Sequence, residues 1–416
     1  MQLTTSWERS LLPNGLKVLY LPKPSDLTLR LCFAIDYGAH DDPADKAGLA
    51  HMVEHMLNAG SRRRIKNAER IELLGGSYNV YTWADFTLAC AHVPCDKMVD
   101  SSKVLSEMAF DGEFEQTNFQ KERKVVLEEI AEQANDPWHR VYYTLMESLF
   151  GTHAASRPAT GSRETVKTLS FDSIVKTHQR YYHPGNTIVM FIGRYDKAEA
   201  EITLNDSWQP ARGRRRVVSN KTHFDGAKSL GNEIVKEMPN ITQTYIGMGT
   251  TTVPVTHPDT HALHIIYELM GIGTTSRLYK EFRIKRGLAY TVTSTLGQGA
   301  DYGFFAVWAA VKNSNMAKAR RLFRVQIERM ITEKLSEKEL YMGKEMIKGA
   351  ILRAFDDPDA APEHLAKTEI FFNDSKAIGR YLTEIQAVDA NRVREVAAKY
   401  LESERLVTVI LKPKGN

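Results

Sequence analysis

Residues 47–61 read AGLAHMVEHMLNAGS, and five of them, His51-Met52-Val53-Glu54-His55, govern how the rest of the chain is read. In a helix, residues three and four apart share a face, so His51, Glu54 and His55 project from one side of about one turn. Two imidazoles in that relation can grip one metal ion. Zinc takes neutral imidazole nitrogen readily, and a catalytic zinc keeps three protein ligands with one position open. Glu54 would stand beside that position, able to act as base toward a water. The competing reading is coincidence, in a chain with 13 His and 51 Asp plus Glu. The surrounding residues weigh against it. Ala47, Leu49, Ala50, Met52, Val53, Met56 and Leu57 make the segment apolar on nearly all sides, which predicts a buried helix. Polar groups there need partners, because an unpaired one is costly, and a metal ion would satisfy all three.

At 416 residues the chain exceeds one ordinary core, and two or three domains are expected. Charged residues at 25% and hydrophobic ones at 43% lie near the globular average. The formal charge of +4 is small, and the arginine runs Arg62 to Arg64 and Arg214 to Arg216 lack interleaved aromatics. They read as solvated surface, and no nucleic-acid partner is expected. Cys32, Cys90 and Cys95 form no C-x-x-C, so neither a disulfide framework nor a cysteine zinc site is expected, and a reducing compartment fits. The N-terminus MQLTTSWERS has no apolar core of a signal peptide, and no run approaches the roughly 18 apolar residues of a membrane helix. The expectation is no membrane and a cytoplasmic location, or an organelle matrix if a transit peptide has been removed.

Along the chain, Asn14-Gly15 marks a turn before a strand, and Thr28 to Ile35 reads as a second strand. Asp42-Pro43 offers a helix start ahead of the His-rich segment, and Gly60 closes it. Ala68 to Leu74 reads as helix, SYNVYTWADFTLACAHVP as a long strand or hairpin, and Lys97 to Phe110 and Asn118 to Gln133 as helices. Further helices are predicted at Trp138 to Gly151 and Phe171 to Tyr181, and a short apolar strand at Thr187 to Gly193. Residues 212–230 mix Gly, Ser, Asn and basic residues without apolar period and read as a linker. The expected domains are therefore 1–211 and 231–416.

After the linker the order of elements repeats. His51 set against His264 gives an offset of 213, and Tyr78 against Tyr290 an offset of 212, which indicates an internal duplication. In that alignment Glu54 falls on Tyr267 and His55 on Glu268, so only the first copy keeps the metal pattern.

Two His leave a zinc site one ligand short. The helix KERKVVLEEIAEQ supplies Glu122, Glu128, Glu129 and Glu132; Glu122, Glu129 and Glu132 share a face, and Glu128 points about 100° away from Glu129. By composition either Glu128 or Glu129 could complete the site. The remaining histidines His153, His178 and His183 lack metal spacing and read as loop and cap residues. The pairs Tyr142-Tyr143 and Tyr181-Tyr182 read as packing.

Taken together, GLAHMVEHML, GGSYNVYTWADFT, VVLEEI, YYHPGNTIVMFIG and SRLYKEFRIKRGLAYTV resemble the pitrilysin-like zinc peptidases, whose inverted H-x-x-E-H names the inverzincins. The resemblance covers most of the chain. It implies an α+β protein with two similar domains, each a mixed β-sheet covered by helices, forming half of a clamshell. It implies Zn2+ on His51, His55 and Glu129, which lies 74 residues past His55, with Glu54 as general base and Glu122 assisting. It places peptide substrate along Asn79, Val80 and Tyr81, although Val80 stands where a small residue is common. It gives Arg283 and Tyr290 to the substrate carbonyl and its oxyanion, reaching the site from a partner subunit. A homodimer, or a heterodimer with a related subunit, would then enclose peptides or unfolded segments. The rival reading is a non-catalytic partner or scaffold subunit, of the kind the family also contains; such members typically lose the metal set that this chain keeps.

Overall fold

A computed structural model describes residues 7–208 and 231–415. The expected linker 212–230 lies outside the described residues. The chain forms two compact units, and each draws one helix from the other's half of the sequence. The first unit gathers the described residues up to Ala131, those from Pro158 to 208, and Arg353–Gly379; the second takes Glu132–Arg157, the rest of the chain as far as Leu352, and the C-terminal part from Arg380. The units therefore do not follow the division at 211 and 231. An amphipathic helix announces its apolar face but not which sheet will cover it.

The first unit is built on six strands, β1 (Glu8–Leu11), β2 (Lys17–Pro22), β3 (Thr28–Ile35), β4 (Ser77–Thr82), β5 (Thr87–Pro94) and β6 (Thr187–Gly193), in the order β1-β2-β6-β3-β5-β4. Only β2 and β6 run parallel. Helices α1 (Leu49–Ala59), α2 (Arg62–Leu73), α3 (Met98–Phe110), α4 (Gln116–Gln133) and α5 (Phe171–Tyr181) belong to the same unit. Alternation along β3 separates the two faces of the sheet. Leu29, Leu31, Phe33 and Ile35 join Met52, Val53 and Met56 of α1 and Leu105 and Met108 of α3 in one core. Arg30 and Cys32 look the other way. There Arg30 meets Asp359, and Lys17 of β2 meets the buried Glu369 of the helix Ala361–Phe372, which covers this second face.

The second unit repeats the plan with β7 (Glu233–Met238), β8 (Thr244–Thr251), β9 (Ala289–Gln298), β10 (Gly303–Val311) and β11 (Val407–Pro413), in the order β7-β11-β8-β10-β9. Strand for strand this matches β2-β6-β3-β5-β4, including the one parallel pair, β7 with β11. Phe305, Val307 and Ala309 of β10 pack with helices α6 (Thr260–Gly271), α7 (Met316–Thr332) and α8 (Ala390–Leu401). Phe304, Ala306 and Trp308 face the helix Pro137–Phe150 through Val141, Leu145 and Leu149. That helix opens with Asp136 accepting from the Trp138 amide at 2.9 Å and Pro137 in its first turn, so the Asp-Pro pair that ends α4 also starts its successor. No described helix is long and apolar enough to cross a membrane.

Two expectations are corrected. Cys32 and Cys90 are joined by a disulfide, because β3 and β5 set them directly opposite each other, a register that their 58-residue separation does not disclose. Arg64 is buried rather than solvated: it donates to the carbonyls of Leu57 and Met108, at the ends of α1 and α3, and lies over the Phe114 ring. Arg214 to Arg216 lie outside the described residues.

The position of α1 depends on a buried carboxylate. Asp42 accepts from Gly48 N–H and Ala50 N–H, both at 3.0 Å, and from Tyr37 Oη–H at 2.6 Å, so it serves the free amides at the start of α1 from outside the helix. Gly48 between them has φ of +93°, and a Cβ there would sit 2.6 Å from the Thr160 carbonyl oxygen. Asp42→Ala leaves three buried donors without an acceptor, and we expect a loss of about 2–4 kcal/mol in denaturant unfolding, with weaker metal uptake as α1 loosens. A second expectation concerns acid. His178 is fully buried and its ring nitrogen donates to the Ala109 carbonyl; burial first, then the Arg64 charge, push its pKa down to about 3. Between about pH 6.5 and 3 the unfolded chain binds a proton there that the folded chain does not, so stability falls as pH falls through that window. His178→Gln should make the pH dependence of unfolding shallower over the same range.

Candidate metal centre

Helix α1 carries Met52, Val53, Met56 and Leu57 into the core, which turns His51, Glu54 and His55 toward α4. The His51 and His55 rings meet edge to face with centroids 4.8 Å apart. Glu129 reaches them from α4: its Oε2 lies 3.7 Å from His51 Nε2 and its Oε1 3.6 Å from His55 Nε2. Glu128, its neighbour, is exposed. Val126 anchors the inner face of α4, and this orientation puts Glu129, not Glu128, beside the two rings.

These separations are informative. A hydrogen bond would bring nitrogen and oxygen to about 2.7–3.2 Å. Two ligands on one tetrahedral zinc, each about 2.0–2.1 Å from it, stand roughly 3.3 Å apart. Glu129 holds its oxygens near the second spacing from both rings, the donor atoms of all three side chains lie within 4.8 Å of one another, and His51 Nδ1 is buried with no hydrogen-bond partner. The donor set is two imidazoles and a carboxylate, which suits zinc. His51, His55 and Glu129 thus form a group that could hold a metal ion, and among the described residues no other set of three comes together this way.

The electrostatics differ between the two rings. Burial, helped by the charge of His55, pushes the His51 pKa down to about 3, so this ring is neutral with a lone pair available. Burial also pulls on His55, but its hydrogen bond to Glu122 and the charges of Glu129 and Glu54 prevail and hold it above the usual value. The Glu122 contact is 3.0 Å, from His55 Nδ1–H to Oε2. It fixes the tautomer that leaves Nε2 facing Glu129, and carboxylates in this position orient metal-binding imidazoles. Burial lifts the Glu54 carboxyl above the usual carboxylate range against the opposing pull of Thr82 and His55.

The other residues singled out in the sequence fall in two places. Asn79, Val80 and Tyr81 lie on β4, the edge strand beside α1. Val80 is buried in the core at 3% exposure, whereas Asn79 Nδ2 donates to the exposed Tyr81 hydroxyl at 2.7 Å. Arg283 and Tyr290 lie together in the second unit. The guanidinium sits 4.2 Å from the Tyr290 ring centre and donates to the Tyr290 carbonyl at 3.2 Å, with the Tyr290 side chain open to solvent at 77% exposure. In the second unit the site's counterpart is filled: His264 is hydrogen-bonded to Tyr381, and Glu268 is buried.

Sequence reading missed two contributors. Asp42 was visible only as a helix start, since its service to amides six and eight residues on needs the intervening loop. Thr82, against Glu54, carried no signal beyond its place in a strand.

Comparison with known proteins places the chain in a family. Residues 17–163 match the family described as insulinase (peptidase family M16), and residues 168–347 match the peptidase M16 inactive domain. An uncharacterized zinc protease of Mycobacterium tuberculosis is 27% identical over 419 residues, covering 98% of this chain and 93% of the relative. The fold is that of a protease from Helicobacter pylori, with TM-score 0.88 and 20% identity over 98% of this chain and 99% of the other. A peptidase M16 inactive domain from Pseudomonas fluorescens also gives TM-score 0.88, at 19% identity over 98% of each chain. With the two M16 models covering successive stretches of one sequence, the chain belongs to peptidase family M16.

Proposed function

We propose that this protein is a zinc-dependent endopeptidase acting on peptides or unfolded segments. The observation that carries the reading is the convergence of His51, His55 and Glu129 beside Glu54, with donor atoms spaced for a shared ion rather than for hydrogen bonds. One Zn2+ per chain would be held by those three side chains. Bound there, zinc would supply Lewis acidity, lowering the pKa of water to about 7 and polarising a peptide carbonyl.

The remaining work belongs to the chain's own residues. Glu54, its pKa raised by burial, takes a proton from the attacking water and passes it to the leaving amine. Glu122 holds the His55 ring in one tautomer. The free edge of β4 at Asn79, Val80 and Tyr81 binds an extended peptide through main-chain hydrogen bonds, largely whatever its sequence. Tyr290 and Arg283 of a second copy, a phenol and a guanidinium, stabilise the oxyanion in a homodimer; their mutual contact and the openness of Tyr290 support this role. A non-catalytic subunit would have no use for the retained metal set.

Two experiments test the reading. Metal analysis and a peptide digest should separate the variants: Glu54→Gln keeps zinc and loses cleavage by a factor of about 100 or more. His51→Ala and Glu129→Gln lose both, and Glu128→Gln changes neither. Robust cleavage by metal-free protein would refute the mechanism. Mixing tests the dimer. Glu54→Gln and Tyr290→Phe chains, each impaired alone, should regain activity when combined, because one site of the mixed dimer then has both groups intact; no recovery would assign the Arg/Tyr pair elsewhere.

A further inference from the structure

We infer that Tyr279 is a positioning residue, its ring holding the Arg283 guanidinium in place for the reacting carbonyl. The inference rests on the oxyanion role proposed for Arg283 and Tyr290. All three residues lie in the second unit.

Arg283 sits in a π-helical turn, Lys280–Ile284, which continues the short helix Arg277–Tyr279. The Lys285 amide closes it by donating to the Lys280 carbonyl at 2.9 Å. Such turns are rare and occur frequently at functional sites. This one is firmly seated. Ser276 Oγ accepts from the Tyr279 amide at 3.3 Å and so fixes the start of the segment. Phe282 is buried, its ring centre 4.7 Å from that of Phe323. The buried Glu281 carboxylate takes up the two cations that follow, Lys285 at 2.6 Å and Arg286.

Arg283 is held differently from those neighbours. Its guanidinium carbon lies 5.3 Å from the Tyr279 ring centre and 4.2 Å from that of Tyr290, and Nη1 donates to the Tyr290 carbonyl at 3.2 Å. Among the described residues, its partners are thus two ring faces and a carbonyl, with no carboxylate. The difference matters for an oxyanion site. A carboxylate would offset the positive charge that a developing oxyanion needs, whereas ring faces and a carbonyl orient the guanidinium and leave its charge intact. Of the two rings, Tyr290 stands open to solvent, while Tyr279 is half-buried in the capped segment. Tyr279 is therefore the fixed wall against which the cation is set.

The test is steady-state cleavage of a fluorogenic peptide by the full-length, zinc-loaded chain. Tyr279→Leu keeps apolar bulk but removes the ring face, and kcat should fall about tenfold with KM changed by less than about twofold. Tyr279→Phe keeps the face and should retain at least about half of kcat. Adding one, two and then three fluorines to that phenylalanine ring alters its size little but draws charge from its face, so kcat should step down with each. In the Arg283→Ala chain, itself reduced about 100-fold, Tyr279→Leu should have no further effect. A kcat indifferent to fluorination, or a Tyr279→Leu loss that is the same with and without Arg283, overturns the Tyr279 assignment alone. Full activity of Arg283→Ala overturns the oxyanion reading and the Tyr279 role with it.

Discussion

Two imidazoles one helical turn apart, sunk against a core and faced by a carboxylate from another helix, are an unstable company without a cation to share. Their donor atoms stand too far apart to satisfy one another, and His51 is too buried to be charged. What surrounds them reads as equipment for keeping that geometry. Asp42 fixes the start of α1, Arg64 binds the Leu57 carbonyl in its last turn, and Glu122 sets the angle of one ring. The site is thus held by buried polar contacts that would be hard to justify in a domain required only to fold.

The duplication explains how the second unit can do without such equipment. Both units use one strand order with a single parallel pair, and both sheets are covered on each face. The unit lacking the metal pattern places a Tyr381 hydroxyl on His264 where the other presents imidazoles to Glu129. Its freedom from ligand duty leaves the Arg283 and Tyr290 pair as its chemically distinctive feature. The same plan therefore serves two kinds of local chemistry.

Much of this was legible in sequence, for identifiable reasons. Phe171–Tyr181 and Thr187–Gly193 emerged with the expected limits, the helix because Ser170 caps it with a bond to the Ser173 amide and the strand because it is buried throughout. The metal helix was legible from its His and Glu spacing inside an apolar run. Other features depend on facts that periodicity does not carry. The exchange of Pro137–Phe150 and Ala361–Phe372 is set by which sheet face remains uncovered. The Cys32–Cys90 bond is set by register, and the burial of Arg64 by the convergence of two helix ends. The choice between Glu128 and Glu129 stayed open on spacing alone, since it needs the rotation of α4 about its axis, which Val126 fixes only once the fold exists.

The central claim is that one ion is shared by two rings of α1 and a carboxylate of α4. X-ray absorption at the zinc edge of the purified, zinc-loaded chain tests it most directly. The account predicts a shell of only nitrogen and oxygen at about 2.0–2.1 Å, with outer-shell scattering from two imidazoles. A sulfur shell near 2.3 Å, or scattering from fewer than two imidazoles, would contradict it.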